Sequence, residues 1–123
     1  MDRPLAGRSI LIVEDEVLVA LDVAHSLEAA GARTMMARTL ADALSKADDP
    51  DLSAAVLDHG LADGDTSDVC VRLKERDIPF VLYSGYSKIH GACSKGVLVH
   101  KPASPAVLMT TVAGLLGARP IAN

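Results

Sequence analysis

Five residues of this 123-residue chain, Glu14, Asp15, Asp58, Ser84 and Lys101, are of types that together could handle a phosphoryl group. Three carboxylates brought into one place repel, and each then resists ionisation. A divalent cation resolves that conflict, and an all-oxygen donor set selects Mg²⁺ over zinc. Asp58 could then act as a carboxylate nucleophile toward a phosphoryl group, giving an aspartyl phosphate. The metal and the Lys101 ammonium would neutralise charge on the transferring oxygens. The Ser84 hydroxyl could donate to a phosphate oxygen once it is there, and Gly85 has no side chain to block the approach.

Each residue alone has a plainer reading. Glu14-Asp15 after a strand suits the positive end of a helix. Asp58 could cap a loop, Ser84 could be a buried hydroxyl bonded to backbone, and Lys101 could be a solvated lysine. What raises the joint pattern above these is the placement of the residues on the elements that must carry them.

Short β-branched runs at Ser9–Val13, Thr34–Met36, Ala54–Leu57, Phe80–Ser84 and Val97–His100 alternate with stretches of helical period. Strands alternating with helices predict a parallel sheet covered on both faces. Such strands are buried on both sides, which accounts for the unbroken run Ile10-Leu11-Ile12-Val13. Glu14 and Asp15 then end the first strand, Asp58 the third and Ser84 the fourth, while Lys101 follows the fifth. In an open parallel sheet, ligands bind beyond the carboxyl ends of the strands. Residues spread from position 14 to position 101 would meet in one crevice.

The helices carry their own signals. The first is predicted from about Glu16 to Ala30, with Val17, Ala20, Leu21, Ala24 and Leu27 on one face and Gly31 as its stop. Thr39 with Asp42 resembles a capping box for the second, which ends before Pro50. Asp65 or Thr66 can cap the third, which runs to about Arg76. Ser104-Pro105 starts the last. Only positions 85–96 separate the fourth strand from the fifth, and they contain Gly85, Gly91 and Gly96. The fourth helix is therefore predicted to be shortened to one or two turns near Ser87–Cys93, or irregular. With few apolar contacts and three glycines, this segment is expected to be the mobile element of the domain.

Composition sets the remaining bounds. Half the residues are hydrophobic but only 2% are aromatic, so Ala, Val and Leu must build the core; Met35-Met36 reads as strand core material. The net charge of -4 and the lack of a Lys/Arg run speak against nucleic acid as a partner. No apolar run is long enough to span a bilayer, and residues 1–8 hold no signal-peptide pattern, so a cytoplasmic protein without a membrane partner is expected. Cys70 and Cys93 are too few for a disulfide scaffold and lack metal-ligand spacing; both are expected to be reduced thiols.

The motifs Ile10-Leu11-Ile12-Val13-Glu14-Asp15-Glu16, Val56-Leu57-Asp58 with Leu61 and Asp63-Gly64, Ser84-Gly85 and Lys101-Pro102 resemble those of the receiver domain of two-component response regulators, over essentially the whole chain. The resemblance implies a flavodoxin-like, doubly wound five-stranded parallel sheet of order 2-1-3-4-5 with helices on both faces. It implies a single domain over residues 1–123, with no output domain. Asp58 would be the phosphoacceptor, Ser84 the switch hydroxyl and Lys101 the phosphate-pairing lysine, with Lys101-Pro102 cis. Asp15 and Asp58 would bind Mg²⁺, Glu14 mainly through water, and the backbone carbonyl of Gly60 would add a ligand. The partners would be a sensor histidine kinase or histidine phosphotransfer protein and a downstream protein. Such a protein catalyses its own phosphorylation and dephosphorylation and is not a turnover enzyme; it serves as a switch, a phosphorelay shuttle or a phosphate sink. Pro79-Phe80, Ser84-Gly85 and Tyr86 are further similar to the FATGUY subgroup, with Ser84 in place of Thr and departures at Leu82 and Tyr83. The aromatic that many receivers carry three positions before the lysine is here Leu98.

Two other functions compete. One is a Mg²⁺-dependent phosphohydrolase with Asp58 as nucleophile, but Glu14-Asp15-Glu16 lacks the Asp-x-Asp that haloacid-dehalogenase-like enzymes carry, and there is little room for a cap. The other is a receiver-like protein-binding module without phosphorylation, against which the complete set of site residues argues.

Overall fold

The computed structural model describes residues 3–61, 63–85 and 89–117. The elements run β1 (Ser9–Val13), α1 (Val17–Ala29), β2 (Arg33–Ala37), α2 (Leu40–Lys46), β3 (Ala54–Asp58), β4 (Gly60–Leu61), β5 (Gly64–Asp65), α3 (Ser67–Glu75), β6 (Phe80–Ser84), a 3-10 helix (Gly91–Lys95), β7 (Val97–His100) and α4 (Pro105–Leu115). Five of the strands form one parallel sheet of order β2-β1-β3-β6-β7. With the two-residue strands β4 and β5 set aside, this is the expected order 2-1-3-4-5, and the fold is the flavodoxin-like α/β fold.

The sheet separates two apolar layers, and strand alternation decides which residue joins which. Ile10, Ile12, Ala54, Val56, Val81 and Tyr83 pack with Val23, Leu27, Leu108 and Val112 of α1 and α4. Leu11, Val13, Ala55, Leu57, Phe80 and Leu82 pack on the other side with Ala43, Val69, Leu73 and Cys93. β1, β3 and β6 are buried along their whole length, as strands covered on both faces must be.

The helix ends follow the sequence signals closely. Thr39 Oγ1 accepts from the Asp42 N–H at 3.1 Å, and Ser104 Oγ accepts from the Val107 N–H at 3.1 Å with Pro105 in the first turn. At α3 it is Asp65 that caps, its Oδ1 accepting from the Ser67 N–H at 3.1 Å, and this bond holds its carboxyl below the usual range. Thr66 instead turns its hydroxyl to the His59 carbonyl at 3.3 Å. Gly31 stops α1 with a φ of +102°, and a Cβ there would lie 2.9 Å from the Ala6 backbone nitrogen.

Several expectations are corrected. The inward face of α1 is Ala20, Val23, Ala24 and Leu27, whereas Val17 and Leu21 are 43% and 37% exposed. Val17 opens the helix beyond the sheet, and Leu21 sits one position round from Ala20, off the buried stripe. Met36 is exposed because β2 is an edge strand. The antiparallel pair β4-β5 carries no sequence run long enough to register as strands. Asp63, in its turn, accepts from the Leu40 N–H at 3.1 Å and so satisfies a first-turn amide of α2.

Between β6 and β7 the described residues form only the short 3-10 helix, as the spacing of the strands demands; Tyr86, Ser87 and Lys88 lie outside the described residues. Gly96 closes this segment against β6. A Cβ there would stand 2.4 Å from the Phe80 ring and 2.9 Å from the Phe80 carbonyl oxygen, so only glycine fits.

The expectation of two reduced thiols is overturned. Cys70 in α3 and Cys93 in the 3-10 helix form a disulfide, with Cα atoms 5.0 Å apart. Both lie in the same buried layer, and the close packing of α3 against the 3-10 helix puts them in contact. Closing a loop across 23 positions should stabilise the oxidised protein by about 3 kcal/mol relative to the reduced one. Denaturant unfolding with and without dithiothreitol measures this; coincident midpoints would show that the tie contributes nothing.

Candidate functional site

Glu14, Asp58, Tyr83 and Lys101 share one strand phase, that of the layer formed by α1 and α4. Ile12 precedes Glu14 by two positions, Val56 precedes Asp58, and Val81 precedes Tyr83, all in that layer; Val99, two positions before Lys101, packs against the same layer. The parallel register sets Asp58 beside Tyr83, and Tyr83 beside Val99. The strand phase therefore sends the four side chains to one side of the carboxyl edge of the sheet.

The predicted residues do converge. Carboxylate oxygens of Glu14, Asp15 and Asp58 lie within 4.8 Å of one another. Asp58 Oδ1 accepts from Lys101 Nζ at 3.0 Å and from the Gly60 N–H at 3.3 Å. Glu14 and Asp58 are 2% and 5% exposed. Ser84 is buried at the end of β6, and its carbonyl accepts from the Lys101 N–H at 2.8 Å. That bond ties the lysine backbone to the strand carrying the hydroxyl. The Lys101-Pro102 peptide is cis.

Sequence reasoning missed Tyr83. Its hydroxyl donates to Glu14 Oε1, and the Lys101 ammonium sits 5.3 Å from the centroid of its ring. Its phase in β6, two positions after the core residue Val81, was the signal that could have found it. Leu98, by contrast, packs into the opposite layer, with Ile89, Ala92 and Cys93. The position where many receivers carry an aromatic thus faces the 3-10 helix, on the other side of the sheet from Tyr83.

Burial pushes the Glu14 carboxyl above its usual range, against hydrogen bonds from Tyr83 and from the Glu16 N–H, which donates to Oε2 at 3.1 Å. Burial and then the neighbouring Glu14 push the Tyr83 hydroxyl far up, so it stays protonated and a donor. The plainer reading of Glu14 also holds in part, because the Glu16 amide it accepts from stands at the start of α1.

The donor set suits a hard divalent cation. It is all oxygen, it is charged, and one member is already held above its usual range by burial beside the others. A cleft of about 470 Å³ opens alongside, lined by Glu14, Glu16, Val19, Tyr83, Lys101, Pro102 and Ala103. Among the described residues, no helix is long and apolar enough to cross a membrane.

No protein-family model matches the chain. Among curated proteins it is 32% identical over 92 residues to the acid tolerance regulatory protein ActR of Rhizobium meliloti (strain 1021). The aligned stretch is 72% of this chain and 47% of ActR, so the chain spans about half the length of that relative. Among solved structures, SdrG of Sphingomonas melonis Fr1 is 33% identical, with 89% of this chain and 96% of that chain covered and a TM-score of 0.74. A response regulator receiver protein from Sinorhizobium medicae WSM419 is 25% identical, with 93% and 98% covered and a TM-score of 0.79. The receiver domain of a sensor histidine kinase from Pseudomonas aeruginosa PAO1, solved with a magnesium ion coordinated in its active-site cleft, shares the fold at 20% identity, with 92% and 100% covered and a TM-score of 0.77.

A pH dependence follows from Glu14. A carboxyl raised above its unfolded value makes the folded state bind more protons, so its contribution to stability falls as pH rises through that window. Glu14→Gln removes the titration. In the presence of a chelator, the unfolding free energy of wild type minus that of Glu14→Gln should fall as pH rises from the ordinary glutamate range upward. Denaturant titrations at a series of pH values measure this; a difference that rises instead would reverse the sign assigned to the burial of Glu14.

Proposed function

The chain belongs to the receiver-domain family of response regulators, and from that premise we propose that it is a phosphorylation-dependent signalling switch whose phosphoacceptor is Asp58. The observation that carries this reading is the buried Asp58 carboxylate, paired with Lys101 at 3.0 Å and clustered with Glu14 and Asp15. The phosphodonor is a phosphohistidine on a sensor kinase or histidine phosphotransfer protein. As the Asp58 O–P bond forms, the N–P bond of the donor breaks, and the leaving imidazole keeps the electron pair and takes up a proton. The chain acts on its own carboxylate and is not a turnover enzyme.

Glu14, Asp15, Asp58 and the Gly60 carbonyl would hold Mg²⁺, which when bound offsets the charge of the carboxylates and of the entering phosphoryl oxygens. Lys101 already lies against Asp58 and would exchange that carboxylate for a phosphoryl oxygen after transfer. Ser84 would then donate to the phosphoryl group from the end of β6, at the point where the chain leaves for the 3-10 helix. The likeness of Pro79-Phe80 and Ser84-Gly85 to the FATGUY motif supports reading the chain as a member of that subgroup. The apolar residues Val17, Leu18 and Leu21 are exposed at the start of α1, just past Glu14 and Asp15, and offer the phosphodonor a surface to pack on.

Phosphoramidate with Mg²⁺ should add one phosphoryl group to wild type, read by intact mass, and none to Asp58→Asn. Full labelling of that variant would place the nucleophile elsewhere. Asp15→Ala should weaken Mg²⁺ binding about tenfold or more, some 1.4 kcal/mol, in a calorimetric titration; unchanged affinity would remove Asp15 from the ligand set.

The readout of the switch is expected between β6 and β7. Phosphorylation should slow amide exchange across residues 89–96, more in protein with Cys70 and Cys93 reduced than in protein with the tie intact. Lys101→Ala should accept phosphate yet lose this response. An identical change in exchange in wild type and variant would deny the lysine a role in switching.

A further inference from the structure

We propose that Tyr83 is a positioning residue of the phosphoacceptor site, its hydroxyl fixing Glu14 and its ring seating Lys101. The inference rests on the functional reading above but uses a residue that reading does not assign. Tyr83 is buried in the last turn of alternation before Ser84 and lies opposite Asp58 in the sheet register. Two groups that the chemistry needs touch it from either side. Its hydroxyl donates to Glu14 Oε1, while the Glu16 N–H donates to Oε2. Both oxygens of a buried carboxylate are thus held, which sets the direction in which Glu14 faces Asp15 and Asp58.

The ring does the second job. Lys101 follows the end of β7, and its side chain is 41% exposed, whereas Asp58 is enclosed. A lysine is a flexible stem with a compact, strongly hydrated charge, and nothing intrinsic to it selects one direction. The face of the Tyr83 ring, 5.3 Å from the ammonium, supplies an attractive surface within cation–π range. It leaves the charge aimed at Asp58 Oδ1, 3.0 Å away. An aliphatic residue at position 83 would still join the apolar layer with Val81 and Leu108, but it would hold neither partner.

Two variants separate the two roles. Tyr83→Phe keeps the ring and loses the hydroxyl; Tyr83→Leu loses both, and circular dichroism checks that it folds. In metal-free protein, the Glu14 carboxyl ¹³C resonance should move in both variants. The side-chain protons of Lys101 should carry an upfield ring-current shift in wild type and Tyr83→Phe that vanishes in Tyr83→Leu. Mg²⁺ affinity should fall about tenfold in both variants. Phosphoryl uptake from phosphoramidate at saturating Mg²⁺ should be slowed in Tyr83→Leu and restored in Tyr83→Phe.

An unmoved Glu14 resonance in Tyr83→Phe removes the role of the hydroxyl. A Lys101 shift that is absent in wild type, or that survives in Tyr83→Leu, removes the role of the ring. Should wild type itself bind no Mg²⁺ and take up no phosphoryl group, the functional reading falls, while the two resonances still decide whether Tyr83 positions its neighbours.

Discussion

Two carboxylates, Glu14 and Asp58, are enclosed at the carboxyl edge of the sheet with almost no access to water. Enclosing an ion costs several kcal/mol even after relaxation, and two of like sign within reach of one another cost more. Around each the fold supplies donors from different parts of the chain. Glu14 receives the Tyr83 hydroxyl and the Glu16 amide, and Asp58 receives the Lys101 ammonium and the Gly60 amide. The sheet order, the turn after β3 and the tie between Lys101 and Ser84 all serve to bring those donors to that edge. Even so, burial holds the Glu14 carboxyl above its usual range, and the three clustered carboxylates could hold a cation.

Much of this was legible in the residues themselves. The five β-rich runs gave the strands nearly to the residue, and in β1, β3 and β6, which are covered on both faces, that signature is strongest. The ends of those runs then gave Glu14, Asp15, Asp58, Ser84 and Lys101. What escaped had physical reasons. Strands β4 and β5 are too short to show a period. The stripe of α1 drifts because so many of its residues are apolar that several phases look equally good. The Cys70–Cys93 bond joins residues with no motif between them, and only the packing of α3 on the 3-10 helix brings them together. Tyr83 looked like ordinary core in a run of apolar residues, and its polar end could be assigned only once its register against Asp58 was known.

The two layers divide the work. Glu14, Asp58, Tyr83 and Lys101 project with the α1 and α4 layer, whereas Ser84 follows Leu82 in phase. Leu98, the 3-10 helix and the disulfide belong to the opposite layer. Ser84 therefore stands where the two meet. Its neighbour Tyr83 faces the charged side, and the chain beyond it leads into the segment on the other. The absence of an aromatic at position 98 is consistent with this division, since a side chain there would touch the 3-10 helix and not the carboxylates.

The disulfide gives that segment a mechanical character. With Cys93 bonded to Cys70 in α3, the 3-10 helix between β6 and β7 is pinned to that helix. In the proposed switch, a pull that began at Ser84 and reached the 3-10 helix would meet a fulcrum at Cys93 and would be passed through Cys70 to α3. The exposed flank of α3, where Val71 stands open to solvent beside Arg72 and Glu75, then becomes the place where such a pull would be felt from outside.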